Sequence, residues 1–305
     1  MKAVILAAGR GTRIEPVTRG LPKCLLVFGG RTILDWQIEG LRSVGISDIA
    51  IVIGHNGRWI VEHVKSFHRE QSDGIHFIVN PEFEITNNIY SLWLAKDWVR
   101  GSGFICLNAD VLCHPSILLP AVLTPGPVSM IVDPEWRDET MKVVIRNGYV
   151  TRMGKAISRE DYSATYIGIT AFSRTIVPAL FREIQGFIEA GNVNEFFNIA
   201  VQRLIEKGVR VGVSATGNLP WAEIDDPGDL RFAREEIFPR MAKHLKRAAQ
   251  AVSLQKFTVG GGQGISAAAR QVPDPRRHVT NNCQVTTANA DEASAKPVGL
   301  CLCSR

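Results

Sequence analysis

Residues 1–26 read MKAVILAAGRGTRIEPVTRGLPKCLL. The run Ala3 to Leu6 is apolar at every position, which predicts a strand buried on both faces rather than a half-exposed one. It passes straight into Leu6-Ala7-Ala8-Gly9-Arg10-Gly11-Thr12-Arg13. Small residues at 7 to 9 and a glycine at 11 let backbone N–H groups approach an anion closely, the physical basis of most phosphate-binding loops. Arg13 and Lys23 add charge, Arg as a fork onto phosphate oxygens and Lys as a point charge near phosphorus. The loop is not a P-loop, because no Gly-Lys-Ser/Thr follows, and Ile14 breaks the GxGxxG pattern. Glycine content alone is weak evidence for such a site and more commonly marks a tight strand-to-helix turn.

Outward from this loop the chain alternates. Apolar runs at Ile49 to Ile53, Ile75 to Val79, Phe104 to Leu107 and Val128 to Val132 predict strands, while Ile33 to Val44 and Arg58 to Phe67 have helical spacing. That rhythm predicts an α/β fold with a mostly parallel sheet covered on both faces. It then changes: Met141 to Ile145, Tyr149 to Met153 and Tyr166 to Phe172 are strands without long intervening helices. Asn147-Gly148 marks a hairpin, so this part predicts an antiparallel addition. Phe187 to Glu206 reads as one helix, Val209 to Ser214 as a strand, and Asp229 to Gln250 as a helix that Pro239 kinks or interrupts. From 251 to 305 the chain turns rich in Ala, Thr, Asn, Gly and Pro, and is expected to be disordered. The expected organisation is a catalytic domain at 1–235, a helical appendix at 236–250 and a tail at 251–305.

The 305 residues carry a formal charge of +5, with six Lys/Arg against three Asp/Glu in the last 55 residues, so the body is almost neutral. That argues against a nucleic-acid partner. Cys24, Cys106 and Cys113 lie in apolar runs and no CxxC spacing occurs, which favours a reducing compartment. No stretch has the length of a membrane span, and Val4 to Ala8 is too short for a signal peptide. The expected location is cytoplasmic, without stable membrane insertion.

The full string LAAGRGTR…LPKCLL, residues 6–13 and 21–26, resembles the signature of the nucleotidyltransferases that make nucleoside-diphospho-sugars and CDP-alcohols. Asn108-Ala109-Asp110 after an apolar strand is similar to that family's metal-binding strand end. Glu223-Ile224-Asp225, followed by Pro227, Asp229 and Leu230, resembles its second metal site. The resemblance covers about residues 1–235. It implies a Rossmann-like, three-layer α/β/α fold of the GT-A type. It also implies a Mg2+ cofactor on Asp110 and Asp225, with Glu223 and Asp226 as neighbouring competitors. Magnesium needs only one or two carboxylates, because phosphate oxygens and waters complete its shell. Lys23 and Arg13 are the expected catalytic cations. Leu6, Ala7, Ala8, Gly9, Gly11, Thr12, Arg13, Lys23 and Asn88 are the expected nucleotide site.

The stretch Asn80-Pro81-Glu82-Phe83…Thr86-Asn87-Asn88-Ile89-Tyr90-Ser91-Leu92 looks like the bacterial phosphocholine cytidylyltransferase branch. It implies CTP as donor and a small phosphorylated acceptor such as phosphocholine. A quaternary ammonium calls for an aromatic cage. Trp136, Tyr166 and Trp221, with Lys155 for the phosphate, are the acceptor candidates, and Lys142 is a further one unless it is a solvated strand residue. Glu195 or Asp133 would suit a primary amine. Asn87 and Asn88 either contact a ligand or cap the helix at Ile89; Tyr90 and Trp93 have core spacing. Three rivals stand beside this reading: a sugar-1-phosphate nucleotidyltransferase, a glycosyltransferase, and a non-catalytic nucleotide-binding subunit. The glycosyltransferase predicts a DxD motif, whereas residue 108 is Asn.

Overall fold

The computed structural model describes residues 1–69 and 73–259, and residues 1–255 form one compact unit. Its thirteen described strands are β1 (Lys2–Ala7), β2 (Val27–Phe28), β3 (Arg31–Thr32), β4 (Ile49–Ile53), β5 (Ile75–Val79), β6 (Phe104–Asn108), β7 (Val111–Cys113), β8 (Val128–Asp133), β9 (Lys142–Arg146), β10 (Tyr149–Gly154), β11 (Ala164–Phe172), β12 (Val211–Ala215) and β13 (Trp221–Glu223). Nine build the main sheet in the order β5-β4-β1-β6-β11-β8-β12-β10-β9. β5, β4, β1 and β6 are mutually parallel, as is the β8–β12 pair.

The sheet is mixed, as the expected antiparallel addition implies, but its antiparallel strands reach the centre, so "mostly parallel" overstates the rest. β11 runs antiparallel to β6, β8 and β9, and β10 runs antiparallel to β9 and β12. The reason is local: β11 is reached from the β9–β10 hairpin instead of through a crossover helix, so it enters the sheet reversed. Asn147 and Gly148 both take positive φ, the geometry of the two-residue hairpin turn.

Side chains of β1 and of Ala8 just beyond it alternate between two cores, as a doubly buried strand requires. Val4, Leu6 and Ala8 join one with Ile89, Leu92, Leu180 and Val201; Ala3, Ile5 and Ala7 join the other with Leu34, Ile38, Ile60 and Val64. Helices therefore pack on either face: Asn88–Leu94, Val177–Glu189 and Asn198–Glu206 on one, Ile33–Ser43 and Gly57–Phe67 on the other. Each fully buried Leu or Ile contributes about 1.5–3 kcal/mol. The single helix expected over 187–206 is instead two, because Gly191 takes φ 77° just past the first and stops it. The intervening segment carries Phe196 to the site.

A third core joins Ile14, Leu26, Phe28, Trp36, Leu112 and Ile224 to Leu230, Ala233, Ile237 and Met241. The chain from Pro227 continues through a π-helical turn, Ala233–Ile237, into the helix Phe238–Val259. The π-turn answers the expectation about Pro239, which has no N–H for the carbonyl four residues back. The remainder of the expected tail, 260–305, lies outside the described residues. No described helix is long and apolar enough to cross a membrane.

Buried carboxylate and imidazole groups give the fold a pH dependence. The Asp35 carboxylate caps its own helix with Thr32 and also meets His63 Nε2 at 2.8 Å and His68 Nε2 at 2.9 Å. Burial would raise its pKa, but these partners outweigh it and hold the carboxyl well below its ordinary range. Burial, with His244 beside it, lowers the pKa of His114. A group depressed on folding stabilises the protein above its unfolded pKa, and that contribution is lost as pH falls through the folded value. Stability is expected to fall first below about pH 6.5 through His114, and again below about pH 4 through Asp35. The variant His114→Asn keeps an acceptor for the Ser116 N–H, which His114 Nδ1 takes at 3.2 Å. Its urea midpoint should change less than that of the unmodified chain between about pH 7 and pH 5; an equal change would remove His114 as the cause.

Candidate active site

The parallel edges of β1 and β6 end at the same level, and the loops beyond them enclose a cavity of about 210 Å³ that adjoins a smaller one of about 110 Å³. Crevices beyond the carboxyl ends of parallel strands are where such sheets bind ligands. Leu6, Ala8, Gly9 and Arg13 line the larger cavity; Leu6, Ala7, Gly9, Gly11 and Lys23 line the smaller. Thr12 lines neither, because it lies in the exposed turn that opens the helix Glu15–Thr18.

Gly11 has φ 63°, and a Cβ there would stand 3.0 Å from both Cγ and Cε of Lys23. The lysine stem thus lies across the loop. Gly11→Ala should cost about 1–2 kcal/mol in backbone strain and push Lys23 aside. The expected result is a melting temperature a few degrees lower with turnover down more than about tenfold. A variant of native activity would show that the Lys23 position is not needed.

Lys23 Nζ reaches Asp225 Oδ1 at 2.5 Å and Asp110 Oδ2 at 3.4 Å, and Arg13 Nη2 meets Asp225 Oδ2 at 2.8 Å. Four residues far apart in sequence thus converge. Burial works against the Lys23 charge, but the two carboxylates outweigh it and raise the pKa. Asp110 goes up because burial outweighs its lysine, while at Asp225 Lys23 and Arg13 outweigh burial and pull the pKa down. Asp110 Oδ1 is buried and has no hydrogen-bond partner. The acidic pair already holds one cation, the lysine ammonium, and has an oxygen to spare.

That donor set fits a hard cation. No three His, Cys, Asp or Glu side chains gather as a metal cluster among the described residues. Two carboxylates are enough for magnesium with phosphate oxygens and waters. Of the competitors, Asp226 is engaged as a helix cap: its Oδ1 accepts from the Gly228 and Asp229 N–H groups at 2.7 and 2.9 Å. Asp229 in turn accepts from the Asp225 and Asp226 N–H groups, fixing the backbone under Asp225. Glu223 lines the cavity; burial with Asp110 and Asp225 nearby pushes its carboxyl up to about 8, against Lys23 and Lys155.

Lys155, Tyr166 and Phe196 also line the cavity. Lys155 Nζ lies 5.1 Å from the Phe196 ring centroid, and its charge also acts on the Glu223 carboxyl. Trp136 and Trp221 do not line the cavity, contrary to expectation. Trp221 points from β13 into the core at 2% exposure, and Trp136 packs edge-on against Tyr162 with Lys142 and Arg159 over its ring. Lys142 is neither a ligand candidate nor a solvated residue. It is buried and donates to the carbonyls of Asp138, Thr140 and Lys155, tying two cavity walls together. Asp133 and Glu195 also lie outside the lining: Asp133 accepts from Thr216 and Glu135, while Glu195 is exposed.

Asn87 caps its helix by accepting the Asn88 N–H, Asn88 Oδ1 accepts the Phe197 N–H at 2.7 Å, and both residues line the cavity. The rings of Tyr90 and Trp93 pack against each other at a tilt outside the lining, with Trp93 packed on the core. Asn108, which stands in the strand-end motif without a role, lines the cavity with its Oδ1 buried and unpartnered, and Glu139, Thr140 and Gly168 line it without any motif to mark them. Gly168, at φ 82° in the β11 bulge, leaves room for Asn108, since a Cβ would come within 2.9 Å of Asn108 Nδ2. An isolated glycine inside the strand pattern Tyr166 to Phe172 was the available signal.

Residues 3–165 match the family described as MobA-like NTP transferase domain. The chain is 29% identical over 262 residues to the CTP:phosphoglutamine cytidylyltransferase of Campylobacter jejuni, covering 77% of this chain and all of that one. It is 29% identical over 254 residues to the CMP-5'-(3-aminopropyl)phosphonate synthase of Streptomyces rubellomurinus, covering 78% of this chain but only 39% of that one. It is 36% identical over 105 residues to the choline-phosphate cytidylyltransferase of Streptococcus pneumoniae, covering 34% of this chain and 43% of that one. Among solved structures, the CTP:phosphocholine cytidylyltransferase of Streptococcus pneumoniae superposes with a TM-score of 0.62 at 25% identity, covering 77% and 97% of the two chains. The inositol-1-phosphate CTP transferase of T. maritima superposes with a TM-score of 0.67 at 23% identity, covering 79% and 95%, which speaks for the fold.

Proposed function

The chain belongs to the MobA-like NTP transferase domain family, and from that premise we propose that it transfers CMP from CTP to a small phosphorylated acceptor and releases pyrophosphate. The observation that carries this reading is the convergence of Lys23 and Arg13 on Asp110 and Asp225 beside the glycine loop, with Lys155 lining the same cavity. The fold reading that goes with it is the three-layer Rossmann-like one, and the buried free thiols of Cys24, Cys106 and Cys113 support a cytoplasmic setting.

An oxygen of the acceptor phosphate attacks the α-phosphorus of CTP, a new P–O bond forms, and the bond to pyrophosphate breaks. Nucleophile and electrophile are both anionic, so the protein's task is to offset repulsion more than to remove a proton. Lys23 and Arg13 offset the triphosphate charge while the Ala7–Gly11 backbone cradles it. Lys155 takes the acceptor phosphate. Asp110 and Asp225 would hold Mg2+, which when bound supplies further positive charge to the phosphates. No side chain forms a covalent intermediate in this scheme.

The cavity's rings are Phe83, Tyr166 and Phe196, and Lys155 already covers Phe196. That favours an acceptor head group bound by hydrogen bonds over a quaternary ammonium in an aromatic cage. A second reading, transfer of a nucleotide to a sugar 1-phosphate, draws on the 37% identity over 116 residues to the mannose-1-phosphate guanyltransferase of Saccharomyces cerevisiae, 32% of that protein's length. Pyrophosphate release measured with Mg2+ and each of CTP, UTP, dTTP and GTP separates the two. The acceptor arms are phosphocholine, phosphoethanolamine, aminoethylphosphonate, phosphoglutamine and hexose 1-phosphates. Turnover confined to CTP with a non-sugar acceptor is expected. Turnover with a hexose phosphate alone would favour the second reading, and none with any pair would favour a non-catalytic nucleotide-binding subunit.

A further inference from the structure

Gln37 lies in the second turn of the helix Ile33–Ser43 and is 1% exposed. Its Nε2 donates to the carbonyl of Asn108 at 2.8 Å and to the carbonyl of Val111 at 2.9 Å. Those carbonyls bracket Ala109-Asp110, the two-residue link between β6 and β7. Asp110 therefore sits in a short crossing between two strands that belong to different sheets. The main chain of the link is also held by Ala109 N–H to Leu6 O at 3.2 Å and by Ile224 N–H to Asp110 O at 3.0 Å. These tie it to β1, which leads into the glycine loop, and to the segment that carries Asp225.

Both hydrogens of the Gln37 amide are consumed. A neutral primary amide supplies two donors at that depth, whereas a carboxylate would face two carbonyl oxygens and an apolar chain would leave both unpaired. The residue touches neither cavity, since it lines none of them.

We propose that Gln37 is a positioning residue: by clamping the Asn108–Val111 link it sets the Asp110 carboxylate opposite Asp225 for the cation held between them. This rests on the functional reading above. Side chains that orient the groups around a metal typically change affinity or activity by about 10–100-fold when removed.

The test is Mg2+-dependent CTP binding by calorimetry without acceptor, alongside turnover and melting temperature. The variants are Gln37→Met and, as a packing control on the same helix, Ile38→Val, whose side chain is fully buried. Both variants are expected to melt lower. Gln37→Met should also raise the Mg2+ concentration for half-saturation by about tenfold or more, with turnover lost in step, while Ile38→Val leaves the Mg2+ dependence unchanged. Should Gln37→Met fail to fold, Gln37→Asn, which keeps the amide but withdraws it by one methylene, is read in the same way. A Mg2+ dependence equal to that of the unmodified protein overturns the positioning role alone. Absence of any Mg2+-dependent CTP binding by the unmodified protein overturns the functional reading, and the proposal with it.

Discussion

Lys23→Met is expected to lower turnover about a thousandfold while the chain stays folded, because it removes a preorganised charge where negative charge must be offset. Methionine conserves much of the stem that lies across Gly11, so packing changes little. The electrostatics change sharply. Lys23 lowers the pKa of both Asp110 and Asp225, and without it two carboxylates face each other with only the half-exposed Arg13 in support. Both pKa values should then rise. Added Mg2+ should raise the melting temperature more in the variant than in the unmodified protein, since it replaces the missing counter-charge. Turnover within about tenfold of the unmodified protein would end the assignment of Lys23 to the reacting phosphates. Equal Mg2+ stabilisation of both proteins would end the assignment of the acidic pair to a metal.

Ending the chain after residue 235 is expected to abolish folding or to lower the melting temperature by well over about 10 °C, whereas ending it after residue 255 is expected to be tolerated. The shorter chain loses Ile237 and Met241, 2% and 0% exposed, and Phe238, whose ring packs with Phe28 and Trp36. Each deleted core side chain of this size costs about 2–5 kcal/mol, comparable in sum to the stability of a whole domain. The loss falls on the site as well, because the same core holds Ile14 beside Arg13 and Ile224 beside Asp225. A chain ending at 235 with native melting temperature and turnover would show the helix to be an appendix after all. Circular dichroism on the purified chains, with turnover measured in parallel, decides it.

Much of this was legible without coordinates. A strand whose every residue is apolar admits few alternatives, so β4 matches its sequence boundaries residue for residue, and β5 does so as well although His76 interrupts its apolar run. The glycine loop was legible because backbone conformation is a local property: Gly11 needs positive φ whatever packs around it. The antiparallel run of β11 was legible from the missing crossover helix, but its place at the centre of the sheet, between β6 and β8, was not, since a strand buried on both faces reads alike wherever it is inserted. Nor did pattern place the tryptophans. Trp136 and Trp221 suit an aromatic cage by type, but strand alternation and loop packing send one into the core and the other against Tyr162.

By itself the sequence determined which residue types meet at the cavity: a glycine-containing loop, Arg13, Lys23, Asp110 and Asp225, each carried by a local pattern. Only the tertiary structure decided between Asp225 and Asp226, separated by one peptide bond. The helix at Pro227 turns Asp226 inward to cap its own N–H groups and leaves Asp225 to face Lys23, Arg13 and Asp110. Charge and size are written in the residue; the direction a side chain takes is set by the hydrogen bonds its neighbours leave unmade.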